Sequence, residues 1–124
     1  MTALRRRRAW LRGRHGEGLA ASWLRLKGYR LLARNFRHGA GEIDLIARRG
    51  RILALVEVKT RGDLASASEA LGPRQRARIV RATQAFLQQR PQLAQLSLRF
   101  DVILVAPGRL PRHLRDAWRP ESER

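Results

Sequence analysis

Residues 42–59 read EIDLIARRGRILALVEVK. Two apolar runs, 42–47 and 52–59, flank the basic tetrapeptide 48–51, a pattern that predicts two β-strands joined as a hairpin. Side chains alternate along a strand, so Glu57 and Lys59 lie on the side of Leu53 and Leu55. A loop centred on Arg49 and Gly50 pairs Arg48 with Arg51, and therefore Asp44 with Leu55. Opposed residues of an antiparallel pair point to the same side. Asp44, Leu55, Glu57 and Lys59 then share one face, with Asp44 diagonal to Glu57 at roughly 7–8 Å between backbones. Glu42 falls on that face too, opposite Glu57. A slip of one residue would turn Asp44 to the other side, so the pairing decides the site as well as the fold.

Outward from the hairpin, residues 16–28 predict a helix. Leu19, Ala20, Trp23, Leu24 and Leu26 form its apolar side and Gly28 its stop. Residues 29–36 (YRLLARNF) predict a strand, and 38–41 a turn. Residues 60–72 predict a loop. Pro73 suits the first turn of a second helix that ends before Pro91, with Ile79, Ala82 and Phe86 facing a core. Residues 98–106 (LRFDVILVA) predict a last strand, apolar enough to be central. The order helix, three strands, helix, strand is that of a small α/β domain with a mixed sheet. Its expected limits are residues 15–107, between a basic segment 1–14 and a basic tail 108–124 whose structure the pattern leaves open.

The 124 residues suit one domain, and 44% hydrophobic content is enough for one core. There is no cysteine, which removes disulfides and thiolate metal sites. Arg5 to Arg8 begin like a signal peptide, but Arg12 and Arg14 interrupt the apolar run that must follow. No apolar stretch approaches the ~20 residues of a membrane span, and a cytoplasmic location is the expectation. The net charge is +17, from 25 Arg and 2 Lys against 10 acids. A biased codon supply accounts for arginine in place of lysine, but not for the excess itself. Charge of that size on one small domain calls for a polyanion, with nucleic acid ahead of an anionic membrane surface.

Against that background, three acids inside apolar strands stand out: Asp44, Glu57 and Asp101. An unpaired carboxylate in a core is costly, so each needs a partner, a cation or solvent. Two carboxylates and an ammonium on one face suit Mg²⁺ or Mn²⁺ with oxygen ligands, and with it phosphodiester hydrolysis. Lys59 would position or activate the attacking water. The carbonyl of Val58 is a further candidate ligand. Taken by spacing alone, D-x(12)-E-x-K is a loose pattern, and a same-face ion pair of Glu57 with Lys59 is the plainer reading.

The wider sequence adds to this. GEGLAA (16–21), WLRLKGYRLLARNFR (23–37), GEIDLIARR (41–49), VEVKTR (56–61) and RFDVILV (99–105) together resemble the YraN family of small, endonuclease-like bacterial proteins. That family in turn resembles the restriction-endonuclease-like, or PD-(D/E)xK, nucleases and their Holliday-junction resolvases. The resemblance implies an α-β-β-β-α-β core and activity on DNA, ahead of RNA, with branched or junction DNA as a candidate substrate. Resolvase-like relatives act as homodimers. Asp44 matches the metal-binding aspartate, Glu57 the second acid and Lys59 the motif lysine, while Ile43 stands where the motif has proline. Glu17 matches a glutamate that resolvase-like members add to the site; by itself it reads as a solvated charge at a helix start. Gln75 matches a polar position near the site.

Arg14, Arg61, Arg74, Arg76 and Arg78 are the candidates for gripping a phosphate backbone, although a solvated helix face accounts for any one of them equally well. Asp101 is expected to pair internally with Arg99 or another arginine, and Glu42 to be a salt-bridged edge residue. His15, His38 and His113 show no metal-ligand spacing and are read as surface residues. Trp23 is expected in the core, while Trp10 and Trp118 are candidates for stacking on bases. The alternative to a nuclease is a non-catalytic nucleic-acid-binding module of the same fold, which has no need of a metal.

Overall fold

The computed structural model describes residues 16–60, 66 and 71–120. Helix α1 covers 16–26. It is followed by strands β1 (Arg30–His38), β2 (Gly41–Arg49) and β3 (Ile52–Lys59), helix α2 (Pro73–Gln88), a 3₁₀ turn (Pro91–Leu93), and strands β4 (Ser97–Leu104) and β5 (Arg112–Trp118). The five strands form one sheet in the order β1-β2-β3-β4-β5. Only the β3–β4 pair is parallel, and α2 makes the crossover that a parallel pair requires. The fold is the α/β, mixed-sheet arrangement expected, with the α-β-β-β-α-β order intact.

The helices cover opposite faces. Ile79, Ala82 and Phe86 of α2 pack on Ile46, Leu53, Leu55 and Val102. Ala20, Ala21 and Leu24 of α1 pack with Leu45, Ala47, Ala54, Val56 and Ile103. The even and odd residues of β3 thus serve two cores, which is why LALV carries no polar residue. Burying each such side chain stabilises the fold by about 1.5–3 kcal/mol. Phe86 is fully buried, edge-on to Phe36 at 5.2 Å between ring centroids. Helix α2 comes down directly on the start of β2: a Cβ at Gly41 would lie 2.7 Å from the Ala82 nitrogen and 2.8 Å from the Arg78 oxygen. Only glycine permits that approach.

Two sequence expectations change. The hairpin turns at Gly50 and Arg51, and Arg49 pairs with Ile52, Arg48 with Leu53 and Ala47 with Ala54. Gly50 has a φ of +59°, so the residue that tolerates a left-handed backbone opens the loop and does not close it. The pairing is therefore two residues away from the one that sets Asp44 against Leu55. A shift of two preserves the face, and it brings Asp44 level with Glu57 instead of diagonal to it. Glu42 is correspondingly not opposite Glu57. The second change concerns the basic stretch after residue 107. Within it, Arg112–Trp118 adds β5 antiparallel to β4. Trp118 is buried against Phe100 at 4.5 Å between rings, in the core rather than available for bases.

Candidate functional site

Strand β3 is paired on both sides as far as Val56, opposite Leu45. Beyond it β2 parts from β3, while β3 continues along β4 to the pair Lys59–Leu104. Asp44 and Glu57 are the first residues in this fork. The Val58 amide has lost its place in the β2 ladder, and it donates to Asp44 Oδ2 at 2.9 Å. A side chain thus satisfies the backbone group that the parting strands leave over. The next carbonyl, that of Lys59, accepts from the Val105 amide on the β4 side. By alternation the Val58 carbonyl points into the fork, beside Asp44.

Glu57 is buried, at 6% exposure. Its Oε2 accepts from Gln75 Nε2 of α2 at 3.1 Å. Among the described residues no donor reaches its buried Oε1. Burial, and next the charge of Asp44, push the Glu57 carboxyl up to about 9, against a smaller pull downward from Lys59. Asp44 is raised as well: burial acts first, the Val58 amide opposes it, and the charges of Glu17 and Glu42 add to it. At neutral pH the pair shares one proton, which bridges the two carboxyls.

This is a costly arrangement for a stable fold to keep. Two carboxyls in one site keep that proton for want of another positive charge, and a divalent cation displacing it would supply one. The donors present are hard oxygens, as Mg²⁺ prefers. Among the described residues no group of three or more His, Cys, Asp or Glu side chains is gathered closely enough to hold a metal by itself. Mg²⁺ commonly takes only one or two carboxylates and keeps several waters, so the pair suffices.

Glu17 stands apart from the pair but within electrostatic range of Asp44. It is brought there because Gly16, at the start of α1, lies against Thr60 at the end of β3, with 3.0 Å from a notional Cβ to Thr60 Cγ2. Glu42 is ion-paired with Arg37 at 3.5 Å and Arg78 at 3.7 Å. Arg78 also donates from Nε to the Ala40 carbonyl at 2.8 Å, tying α2 to the β1–β2 turn. Arg76 donates to the Leu71 carbonyl at 2.8 Å and stacks over Trp118. Arg74 is exposed at the start of α2. Arg14 and Arg61 lie outside the described residues.

Asp101 pairs with Arg99 as expected, at 2.8 Å, but has a second partner that the sequence concealed. His113 Nε2 lies 2.8 Å from Asp101 Oδ2, and the imidazole is 2% exposed, so His113 is not the surface residue expected. The Asp116 amide adds a third donor at 2.9 Å. Burial alone would raise the Asp101 carboxyl; the His113, Arg99 and Asp116 donors outweigh it and hold the group below its ordinary range. The signal that could have exposed His113 was β5 itself, since a strand beside Asp101 must deliver some side chain to it. Trp23 is half-buried under Lys27, 4.9 Å from its ring.

The family model described as uncharacterised protein family UPF0102 matches residues 16–105, the span from α1 through β4. A UPF0102 protein of Paramagnetospirillum magneticum is 59% identical over 112 residues, covering 87% of each chain. One from Parvibaculum lavamentivorans is 56% identical over 112 residues, covering 90% of this chain and 84% of its own. One from Maricaulis maris is 53% identical over 115 residues, covering 93% and 91%.

Proposed function

The chain belongs to the uncharacterised protein family UPF0102, and we propose that it is a Mg²⁺- or Mn²⁺-dependent nuclease of the PD-(D/E)xK kind, hydrolysing phosphodiester bonds in DNA. The observation that carries this reading is the pairing of the half-buried Asp44 carboxyl with the buried Glu57 carboxyl, whose Oε1 meets no donor among the described residues, at the fork between β2 and β3. Asp44 and Glu57 would hold the ion, with the Val58 carbonyl and Glu17 at hand. When bound, the ion supplies positive charge against a phosphate oxygen.

The protein's own groups do the rest. Gln75 fixes the rotamer of Glu57 through Oε2, leaving Oε1 for the ion. Lys59, next on the same face at the end of β3, orients a water toward phosphorus and offsets the negative charge that develops there. The net charge of +17 holds the polyanion through its phosphates, largely without regard to sequence. Branched or junction DNA is the first substrate to try. A homodimer would serve a junction, which has two strands to cut. Among the described residues no helix is long and apolar enough to cross a membrane, and a cytoplasmic location fits a DNA substrate.

The test is cleavage by the purified full chain with Mg²⁺ or Mn²⁺ on linear, branched and single-stranded DNA. Asp44→Asn, Glu57→Gln and Lys59→Gln are run beside it. Cleavage abolished by each substitution, with folding intact, is the expected result. DNA binding without cutting of any substrate would replace the reading by that of a non-catalytic binding module.

A further inference from the structure

We propose a second ligand site: a recess on the α1 face of the sheet, between the end of α1 and strand β5, that binds a phosphoryl group or similar tetrahedral oxyanion. The recess has a volume of about 280 Å³ and is lined by Lys27, Tyr29, Arg49, His113 and Arg115. Among the described residues its lining carries three permanent cations, a phenol and an imidazole, and no carboxylate. Like charges gathered round a concavity repel one another, and a bound anion relieves that repulsion.

The imidazole supplies the independent sign of a missing ligand. His113 is 2% exposed at its side chain, and its Nε2 sits 2.8 Å from Asp101 Oδ2. An ionised Asp101 only accepts, so Nε2 donates. Nδ1 is then left buried, with no hydrogen-bond partner among the described residues. A buried polar atom without a partner is costly. As imidazolium the ring donates from both nitrogens, to Asp101 on one side and to an anion on the other.

The groups around the ring are arranged for this. Asp101, the nearest acid, is already committed to Arg99, His113 and the Asp116 amide. Asp116, the next acid, is turned to Arg119 at 2.9 Å. Tyr29 meets the His113 ring edge-on at 6.0 Å and is held from two sides, by Arg99 at its hydroxyl and by Arg49 over its ring. Lys27, at the end of α1, and Arg115, on β5, close the mouth as exposed side chains that can turn inward on a ligand. The site needs neither the carboxylate pair nor a metal, and it stands or falls apart from the nuclease reading.

Sulfate is the probe. The experiment follows the His113 ring nitrogens by NMR in the full chain while sulfate, and then inorganic phosphate, is added. The expected result is a saturable perturbation of the His113 ring-nitrogen signals. Lys27→Gln and Arg115→Gln, both surface changes that leave the fold intact, should each weaken sulfate by about tenfold. Ring signals unmoved by sulfate, or binding unchanged in both variants, would overturn the proposal. The source of the phosphoryl group is then read with an oligonucleotide carrying a 5′-phosphate against the same strand with a 5′-hydroxyl. A response confined to the phosphorylated strand assigns the site to nucleic-acid ends, an equal response to both strands assigns it to backbone phosphodiesters, and no response to either assigns it to free phosphate.

Discussion

The Val58 amide donates to the Asp44 carboxylate at 2.9 Å where β2 leaves β3. One residue therefore does two jobs. It closes a backbone hydrogen bond that the diverging strands cannot make, and it presents its charge to Glu57. The two jobs separate by substitution. Asp44→Asn keeps an acceptor for the Val58 amide and removes the charge, so the unfolding midpoint in denaturant should hold or rise while Mg²⁺ binding is lost. Asp44→Ala leaves the amide unsatisfied and should cost about 1–3 kcal/mol. Denaturant unfolding of the two variants beside a Mg²⁺ titration by calorimetry checks both halves.

The Glu57 carboxyl gives a pH signature. Its folded-state value, pushed up to about 9, lies above the ordinary 4.5 that the unfolded chain recovers. The folded state therefore binds the proton more tightly, and this group's contribution is full below about 4.5 and is lost as pH rises through about 9. Stability should fall across that window with a slope of up to about 1.4 kcal/mol per pH unit from this group, and Glu57→Gln should flatten it. A cation competes with the same proton. Mg²⁺ affinity should rise with pH, with about one proton released per ion, measured by calorimetry in buffers of different ionisation enthalpy.

Much of this site was legible because strands repeat every two residues. The hairpin turns at Gly50–Arg51 rather than at Arg49–Gly50, yet a displacement of two leaves Asp44, Glu57 and Lys59 on one face. The apolar stretch LALV gave away a strand buried on both sides, and Gly28 and Pro73 marked helix ends through their backbone geometry. Strand β5 was not legible. RHLRDAW alternates poorly, because an edge strand with solvent along one side needs few apolar residues, and a bulge at Asp116, with φ of +55°, breaks its period. With β5 hidden, the partnership of His113 and Asp101, some dozen residues apart in sequence, was hidden too. Nor could spacing alone bring Gln75 to Glu57, since that contact depends on where α2 lands.

Gln75 should matter to the site and little to the fold. It lies partly exposed in the first turns of α2 and donates to Glu57 Oε2 at 3.1 Å. Gln75→Ala frees the Glu57 side chain to rotate and removes the side-chain donor to its Oε2. Supporting contacts of this type around metal ligands are worth about 10–100-fold in affinity or activity. Mg²⁺ affinity, and any cleavage rate, should drop by about that factor with an unfolding midpoint close to wild type. An unchanged affinity would mean that Glu57 is held by burial alone.

Asp101 should give the opposite pH signature from Glu57. Its carboxyl is held below the ordinary range, so its contribution is present above that range and is lost as pH falls through the folded value. Removing it leaves Arg99 without its counter-charge and His113 Nε2 without its acceptor, and Asp101→Ala should destabilise by about 3–5 kcal/mol. Acid unfolding followed by circular dichroism should accordingly begin at higher pH in Asp101→Asn than in the wild type. The carboxylate pair does not explain such a shift, because protonating Glu57 favours the folded state.

Gly41 tests whether α2 and the carboxylate fork are mechanically joined. A methyl group there would meet the backbone of α2 at 2.7 Å from the Ala82 nitrogen, and backbone cannot turn aside as a flexible side chain can. Helix α2 must lift from β2, and with it the Arg78 bond to Ala40 and the Gln75 bond to Glu57. Gly41→Ala should therefore cost about 1–3 kcal/mol, the usual range for overpacking a well-filled core. Loss of stability alone would be the signature of a core defect. Loss of Mg²⁺ affinity in the fraction that remains folded, by the same factor as Gln75→Ala and not additive with it, is the expected outcome, because both changes break one contact by different routes. The double variant Gly41→Ala with Gln75→Ala, titrated with Mg²⁺ well below its unfolding temperature, decides it.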